Sequence, residues 1–392
     1  MHMTIQELDQ AYVAHTYSRF PVEIVSGRGS LCRDSAGKEY IDLGTGIAVN
    51  TFGYADEAWQ QAVASQAARL QHTSNLYYSE PCARLAEMLC RRTGMARVFF
   101  SNSGAEANEC AIKAARKWAS ENLGPEHFTI VTLRNSFHGR TLTTLAATGQ
   151  DRFHALFQPL TPGFIHVEAG NIPQLEQAFA EHKVAALLVE CVQGEGGVLP
   201  LSPDYARAAE KIVRDHGALL LVDEVQTGNG RTGSLYAWQH YGLAPDAFST
   251  AKGLAGGLPL GATVLSDKLR DIFAPGDHGS TFGGNPVCCA AALSILSRLD
   301  DSLLAEVREK GAYLMSALSA LPGVEEVSGL GLMLGVRTAA PAGRVVTACM
   351  DRGLLCLTAK DRVRLLPALN IPMSLLEKAT EIFREALVSL SE

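Results

Sequence analysis

The run Ala218-Leu219-Leu220-Leu221-Val222 is apolar at every position and stops abruptly at two carboxylates, Asp223 and Glu224. A strand of this kind is buried on both faces, which places it inside a sheet covered by helices on either side. The two acids then fall where the strand meets its loop, the edge at which open α/β sheets place ligands. The loop continues Val225-Gln226-Thr227-Gly228-Asn229-Gly230-Arg231-Thr232-Gly233, and further on Lys252 stands alone among small residues in Ser249-Thr250-Ala251-Lys252-Gly253.

An acid at a strand end is often a turn former or helix cap, and most lysines are solvated. The same pair also suits a pyridoxal-phosphate site, which needs a lysine as Schiff base and a carboxylate facing the pyridinium nitrogen. Both readings stand on this stretch alone.

The rest of the chain narrows the class. Its 392 residues suit two domains or one large elaborated one. A net charge of -7 gives no basic footprint for nucleic acid, and no apolar run approaches the roughly 18 residues that span a bilayer. Residues 1–19 are polar and mixed in charge, without a signal-peptide pattern. The nine cysteines form no C-x-x-C pair, which is thiol usage in a reducing compartment rather than a disulfide framework or a metal site. A cytoplasmic address is expected.

Strand-like runs at 23–25, 39–43, 97–100, 128–133, 184–189 and 218–222 alternate over much of their length with helical patterns, among them 58–70, an alanine-rich helix to about 119, and 203–216 opened by Ser202-Pro203. This predicts an α/β fold with a mostly parallel central sheet covered by helices on both faces. After Gly283-Gly284-Asn285-Pro286 the pattern changes to a long helical stretch, 287–321, with a break near Asp300-Asp301. Short strands follow at 325–327, 332–336 and 363–366, then a terminal helix opened by a capping box from Ser374 to Glu377. The expected division is an N-terminal segment, 1–45, packing with a smaller α+β domain, 287–392, and a large domain, 46–286.

Two further loops carry chemistry-bearing residues. Ser103-Gly104-Ala105-Glu106 reads equally as an ordinary capping box and as a helix start whose bare N–H groups reach a phosphate. In Phe137-His138-Gly139-Arg140, Phe137 is either core or the cover of a flat ring. Arg140 is either a surface ion pair or a bidentate grip on a carboxylate. His138 reads as structural.

Taken in order, Ser103-Gly104-Ala105-Glu106-Ala107, Phe137-His138-Gly139-Arg140-Thr141, Gln193-Gly194-Glu195-Gly196-Gly197, Asp223-Glu224-Val225-Gln226-Thr227-Gly228, Ala251-Lys252-Gly253 and Gly279-Ser280-Thr281-Phe282-Gly283-Gly284-Asn285-Pro286 resemble the class III (ω-amino-acid) aminotransferases. These are pyridoxal-phosphate enzymes of fold type I. Within the class, His72-Thr73-Ser74-Asn75-Leu76-Tyr77-Tyr78 and Gly46-Ile47-Ala48-Val49-Asn50 are most similar to members acting on N-acylated ornithine in arginine biosynthesis.

The resemblance implies roles. Lys252 is the Schiff-base lysine and proton carrier, and Asp223 partners the ring nitrogen. Gln226 bonds the ring's phenolic oxygen, and Phe137 stacks on the ring. Ser103, Gly104 and Ala105 hold the phosphate, with Ser280 and Thr281 approaching from a second subunit of a homodimer. Arg364, otherwise neutralised by Glu195, grips the α-carboxylate of glutamate. Arg140 takes the distal carboxylate of either substrate, and Tyr17 lies near the same carboxylate. Gly46 stands where members acting on free ornithine carry a bulky aromatic, and leaves room for an acyl group. The implied reaction moves the terminal amino group of an N-acylated diamino acid to 2-oxoglutarate. Alternatives are ornithine, 4-aminobutyrate, succinylornithine or N-succinyl-diaminopimelate as donor, and an aminomutase that dispenses with the acceptor. Gly53-Tyr54-Ala55-Asp56-Glu57 and Glu190-Cys191 depart from the family pattern, and neither touches the implied cofactor contacts.

Overall fold

The computed structural model describes residues 3–391. Its largest sheet has seven strands, in the spatial order Arg97–Ser101, Gly261–Leu265, Ala247–Thr250, Leu219–Asp223, Val184–Val189, Thr129–Leu133, Phe164–Val167. Gly261–Leu265 runs antiparallel to both its neighbours, and the other pairings are parallel. The mostly parallel sheet expected from the sequence is therefore present with one reversed strand.

Its central strand explains why the apolar run has no polar gaps. Leu219 and Leu221 join a core under the helix Gly104–Asn122, whose face is Ala111, Ile112, Ala114, Ala115 and Ala119. Leu220 and Val222 join the opposite core, which includes Phe179, Tyr205, Ala209 and Val213 from the helices Ile172–Glu181 and Pro203–Asp215. Alternate side chains point to opposite faces, so a polar residue anywhere in the run would be buried.

A second, four-stranded antiparallel sheet holds Val324–Leu330, Met333–Thr338, Arg362–Leu365 and Leu357–Ala359. A third joins three N-terminal strands, Ile24–Arg28, Leu31–Asp34 and Glu39–Asp42, to Leu354–Leu355 through a parallel pairing of Ile41 with Leu354. The helix Pro286–Leu296 packs against Glu57–Arg69 and Glu80–Thr93.

Several local expectations need correction. The helices Ile5–Tyr12, Glu80–Thr93 and Ala342–Asp351 fall where no helix was anticipated. The terminal helix Met373–Ser391 begins on the carbonyl of Pro372, which accepts from the N–H groups of Leu375 and Leu376. Ser374 thus lies inside the first turn and does not cap it. The break expected near Asp300-Asp301 is present: the stretch after Pro286 is two helices, and the second, Asp301–Ser319, is capped by Asp300, whose side chain accepts from Leu303 N–H at 2.9 Å.

The parallel strands end at one edge, and there the reversed strand begins with Gly261. A Cβ at this position would lie 2.3 Å from the Ser103 carbonyl oxygen and 2.6 Å from Ser101 Oγ. Both contacts belong to the rigid turn that leads into the long helix. Gly261→Ala is expected to destabilise the protein by about 1–3 kcal/mol, the usual cost of overpacking a closed site. The urea midpoint checks this, and an unchanged midpoint would show that the turn can yield.

Candidate active site

A cavity of about 470 Å³ opens at this edge and is lined by Ser103, Gly104, Ala105, Phe137, Arg140, Asp223, Gln226 and Lys252. Eight residues singled out in the sequence, drawn from four separate loops, thus meet on one surface. Asn108, His138 and Glu190 also line it.

Asp223 is buried at the end of its strand and is held from three sides. Oδ2 accepts from Asn108 Nδ2 at 2.7 Å and pairs with His138 Nδ1 at 2.8 Å, while Oδ1 accepts from Val225 N–H at 3.0 Å. Ser249 Oγ donates to Asn108 Oδ1 at 2.6 Å, which fixes the amide so that its NH2 faces Asp223. His138, read as structural, therefore lies within the site. Its other nitrogen, Nε2, is buried without a partner. The sequence carried no signal for Asn108 or Ser249 beyond their being small polar residues on elements that converge.

Lys252 sits half-buried on the cavity wall with a backbone φ of 46°, a left-handed conformation that a side-chain-bearing residue adopts at a cost. Burial pulls its ammonium below the ordinary lysine value, and the nearby Arg364 adds to this, against the opposing charges of Glu195, Asp223 and Glu190. Glu190 behaves in the opposite sense. Burial, then the charge of Asp223, raises its carboxyl well above the usual range, although it accepts from Phe137 N–H at 3.0 Å and Gly194 N–H at 3.3 Å. Phe137 is thereby held over the cavity, edge-on to Phe153 at 6.1 Å. The exposed Arg140 guanidinium stacks 4.0 Å from the Phe153 ring centroid.

Behind Gln226 lies a second charged group. The buried Arg364 pairs through Nη1 with Glu195 and donates to Gln226 Oε1 at 3.1 Å. Burial pushes the Glu195 carboxyl up, and the facing Arg364 more than reverses this, leaving it below its ordinary value. Arg364 and Glu195 lie outside the first cavity's lining and reach it through Gln226.

The remaining three residues lie elsewhere in the single chain. Tyr17 lines a separate cavity of about 580 Å³ with Gly46 and Ile47. Thr281 lines a smaller recess beside His72 and Asn75. Ser280 Oγ accepts from Asn102 Nδ2 at 3.1 Å, next to the Ser103 turn.

This donor set fits pyridoxal phosphate. The N–H groups of Gly104 and Ala105 begin a 19-residue helix, so no intrahelical acceptor exists for them and the dipole adds to their pull on an anion. A Cβ at Gly104 would lie 2.5 Å from Val225 Cγ1, so bulk there would be driven into the cavity's lining. A fixed carboxylate, an aromatic face and a lysine with a weakened proton complete the set.

The sequence profile of class-III aminotransferases matches residues 12–387. The chain belongs to this family. It is a pyridoxal-phosphate-dependent aminotransferase of fold type I. It is 48% identical to the acetylornithine aminotransferase of Haemophilus ducreyi, over 98% of each chain. It is 41% identical to that of Methanocaldococcus jannaschii, over 97% of this chain and 98% of the relative. Among solved structures, the ornithine aminotransferase of Toxoplasma gondii superposes with a TM-score of 0.94 at 33% identity, covering 98% of this chain and 94% of the other. The N-acetylornithine aminotransferase of Stenotrophomonas maltophilia gives 0.84 at 35% identity, covering 98% of each.

The weakened Lys252 proton makes a test of the apoprotein. The folded amine releases its proton at a pH where the unfolded lysine still holds one, so the unfolded state binds more protons and stability rises with pH up to the ordinary lysine value of 10.5. Lys252→Met lacks this term. The stability of wild type relative to Lys252→Met is expected to climb through the alkaline window by up to ~1.4 kcal/mol per pH unit. Parallel denaturation profiles for the two proteins would show that the amine is not desolvated.

Proposed function

We propose that this aminotransferase moves the terminal amino group of N2-acetyl-L-ornithine, or a closely related N-acylated diamino acid, to 2-oxoglutarate, giving the semialdehyde and L-glutamate in arginine biosynthesis. The observation that carries the reading is a pair of arginines of different status, Arg140 on the cavity wall and open to solvent, and Arg364 behind Gln226 and buried against Glu195. An enzyme of two half-reactions needs this. The amine at the far end of one substrate has no carboxylate beside the reacting carbon, whereas glutamate has one.

Pyridoxal phosphate supplies an aldehyde that takes up an amino group and a protonated ring that accepts electrons from a broken C–H bond. The chain's own groups do the rest. Lys252 Nζ would carry the proton to and from the reacting carbon, for which an amine with a lowered proton affinity is suited. Asp223, oriented by Asn108 and His138, keeps the ring nitrogen protonated. Phe137 would cover the ring, Gln226 would bond its phenolic oxygen, and the turn at Ser103, Gly104 and Ala105 would bind the phosphate. Arg140 holds the carboxylate distal to the reacting amine in either substrate. Arg364 exchanges Glu195 for the α-carboxylate when glutamate binds.

Gly46 supports the acylated donor. Its φ of 64° already favours glycine, and a Cβ there would meet nothing closer than 3.8 Å, so the glycine leaves open space on the wall it shares with Tyr17. Leu357, which also lines that cavity, is the register partner of Arg364, so room for an acyl group adjoins the carboxylate site. We assign the working form as a cytoplasmic homodimer in which Ser280 and Thr281 complete the partner's phosphate site, with domain limits at 1–45, 46–286 and 287–392.

Single-turnover rates for acetylated, succinylated and free diamino acids and 4-aminobutyrate test the donor. The acetylated compound is expected to be fastest in the single turnover, and continued turnover is expected to require 2-oxoglutarate. A preference for free ornithine, or multiple turnovers without an acceptor, would overturn the reading.

The division of labour between the arginines has its own check. Arg140→Ala should slow both half-reactions, and Arg364→Ala chiefly the glutamate half, each by about 2–5 kcal/mol of lost charge-assisted bonding. Equal losses from both variants in both halves would reject it.

A further inference from the structure

Arg231 lies on the loop that follows Asp223, is 3% exposed, and faces no acid among the described residues. Burial is the single influence on its guanidinium, which it pulls down to about 9, still charged at neutral pH. A buried cation without a counter-charge is an expensive thing to keep, so its contacts must matter. Nη1 donates to the carbonyls of Leu332, at 3.1 Å, and Pro367. The main chain answers with a reciprocal bond, Leu332 N–H donating to the Arg231 carbonyl at 3.0 Å. Gly331, at φ 55°, makes this approach possible, since a Cβ there would lie 2.6 Å from the carbonyl carbon of Thr232.

Both acceptors bracket Arg364. Leu332 leads into Met333–Thr338, in which Gly335 is the register partner of Arg364. Pro367 follows Arg364 at the exit of the adjacent strand, Arg362–Leu365. The loop that carries Arg231 also carries Gln226, which accepts from Arg364 Nη1. One guanidinium therefore ties the ends of two paired strands to the loop that holds the side chain between them.

We propose that Arg231 is a positioning residue for α-carboxylate recognition: by clamping the Leu332 and Pro367 carbonyls to the Gln226 loop, it sets the reach of Arg364 into the active site. It governs the glutamate half-reaction without touching glutamate. The proposal rests on the role given to Arg364 above.

The test uses the cofactor-loaded enzyme, with Arg231→Lys and Arg231→Gln made singly and in an Arg364→Ala background. Half-reaction KM values for glutamate and N-acetylornithine, cofactor content and melting temperature are measured for each. Arg231→Lys is expected to keep its cofactor and raise the KM for glutamate about tenfold, within the coupling seen between residues of one network, while the KM for N-acetylornithine stays within about twofold. In the Arg364→Ala background the same substitution should add nothing. A parallel rise for both donors, no rise for either, an undiminished effect in the Arg364→Ala background, or failure of both variants to yield loaded protein would each overturn the proposal and mark a general structural clamp. Failure of the underlying reading is told apart by Arg364→Ala alone, which would then leave the glutamate half unaffected.

Discussion

The site depends on one buried carboxylate. Asp223 ends a strand whose other residues are sealed on both faces, and its buried side chain meets only the cavity, so it is satisfied mainly by the protein. Three donors do so, and hydrogen bonds to a charged group contribute about 1.5–3 kcal/mol each. The bonds also fix direction. Asn108 comes from the long helix that starts at the phosphate-binding turn, His138 from the loop carrying Phe137 and Arg140, and Val225 from the loop carrying Gln226. Orienting Asp223 thus sets the mutual placement of the three loops, and a cofactor bridging them meets a frame assembled before it binds.

Charge is sorted around that frame by environment. Glu190 and Glu195 are both close to Lys252, yet the first is pushed up by burial and Asp223 while the second ends low because Arg364 faces it. The upward shift at 190 favours less negative charge beside Asp223 while the carboxyl still accepts from Phe137 and Gly194. An ionised acid at 195 can neutralise Arg364 and be exchanged for another carboxylate at small net cost, since one charge-assisted pair replaces another. Identical side chains five residues apart therefore support different tasks, and the difference lies in what each is buried against.

The sequence made much of this legible, and unevenly. The central strand and the placing of Asp223 at its end follow from a pattern a few residues long, in which an apolar run stops at acids, and Lys252 was legible there as one of two readings. The positions of Ser103, Phe137, Arg140 and Gln226 were legible only as an ordered series of motifs. Asn108, Ser249 and the true part of His138 were not, because their meaning lies in pairing across 85 to 141 residues, and no local period marks it. The same holds for the helix Glu80–Thr93, whose two buried residues, Leu85 and Leu89, sit among charged ones, and for Ala342–Asp351. Ser374 misled for the opposite reason: the capping pattern is present, but Pro372 starts the helix earlier.

Two-substrate recognition also accounts for where the smaller sheet sits. If Arg364 were carried on the central sheet it would share the rigidity of Asp223, and displacing Glu195 from it would strain the cofactor frame. It is carried instead on Arg362–Leu365, a strand of a separate antiparallel sheet, and meets the loops of the central sheet through two side chains, Gln226 and Glu195. The cofactor's support and the substrate's recognition are thus built on different sheets, joined by the loop from Asp223 to Gly233. Rearrangement of the carboxylate pair can then proceed while the bonds on Asp223 stay made.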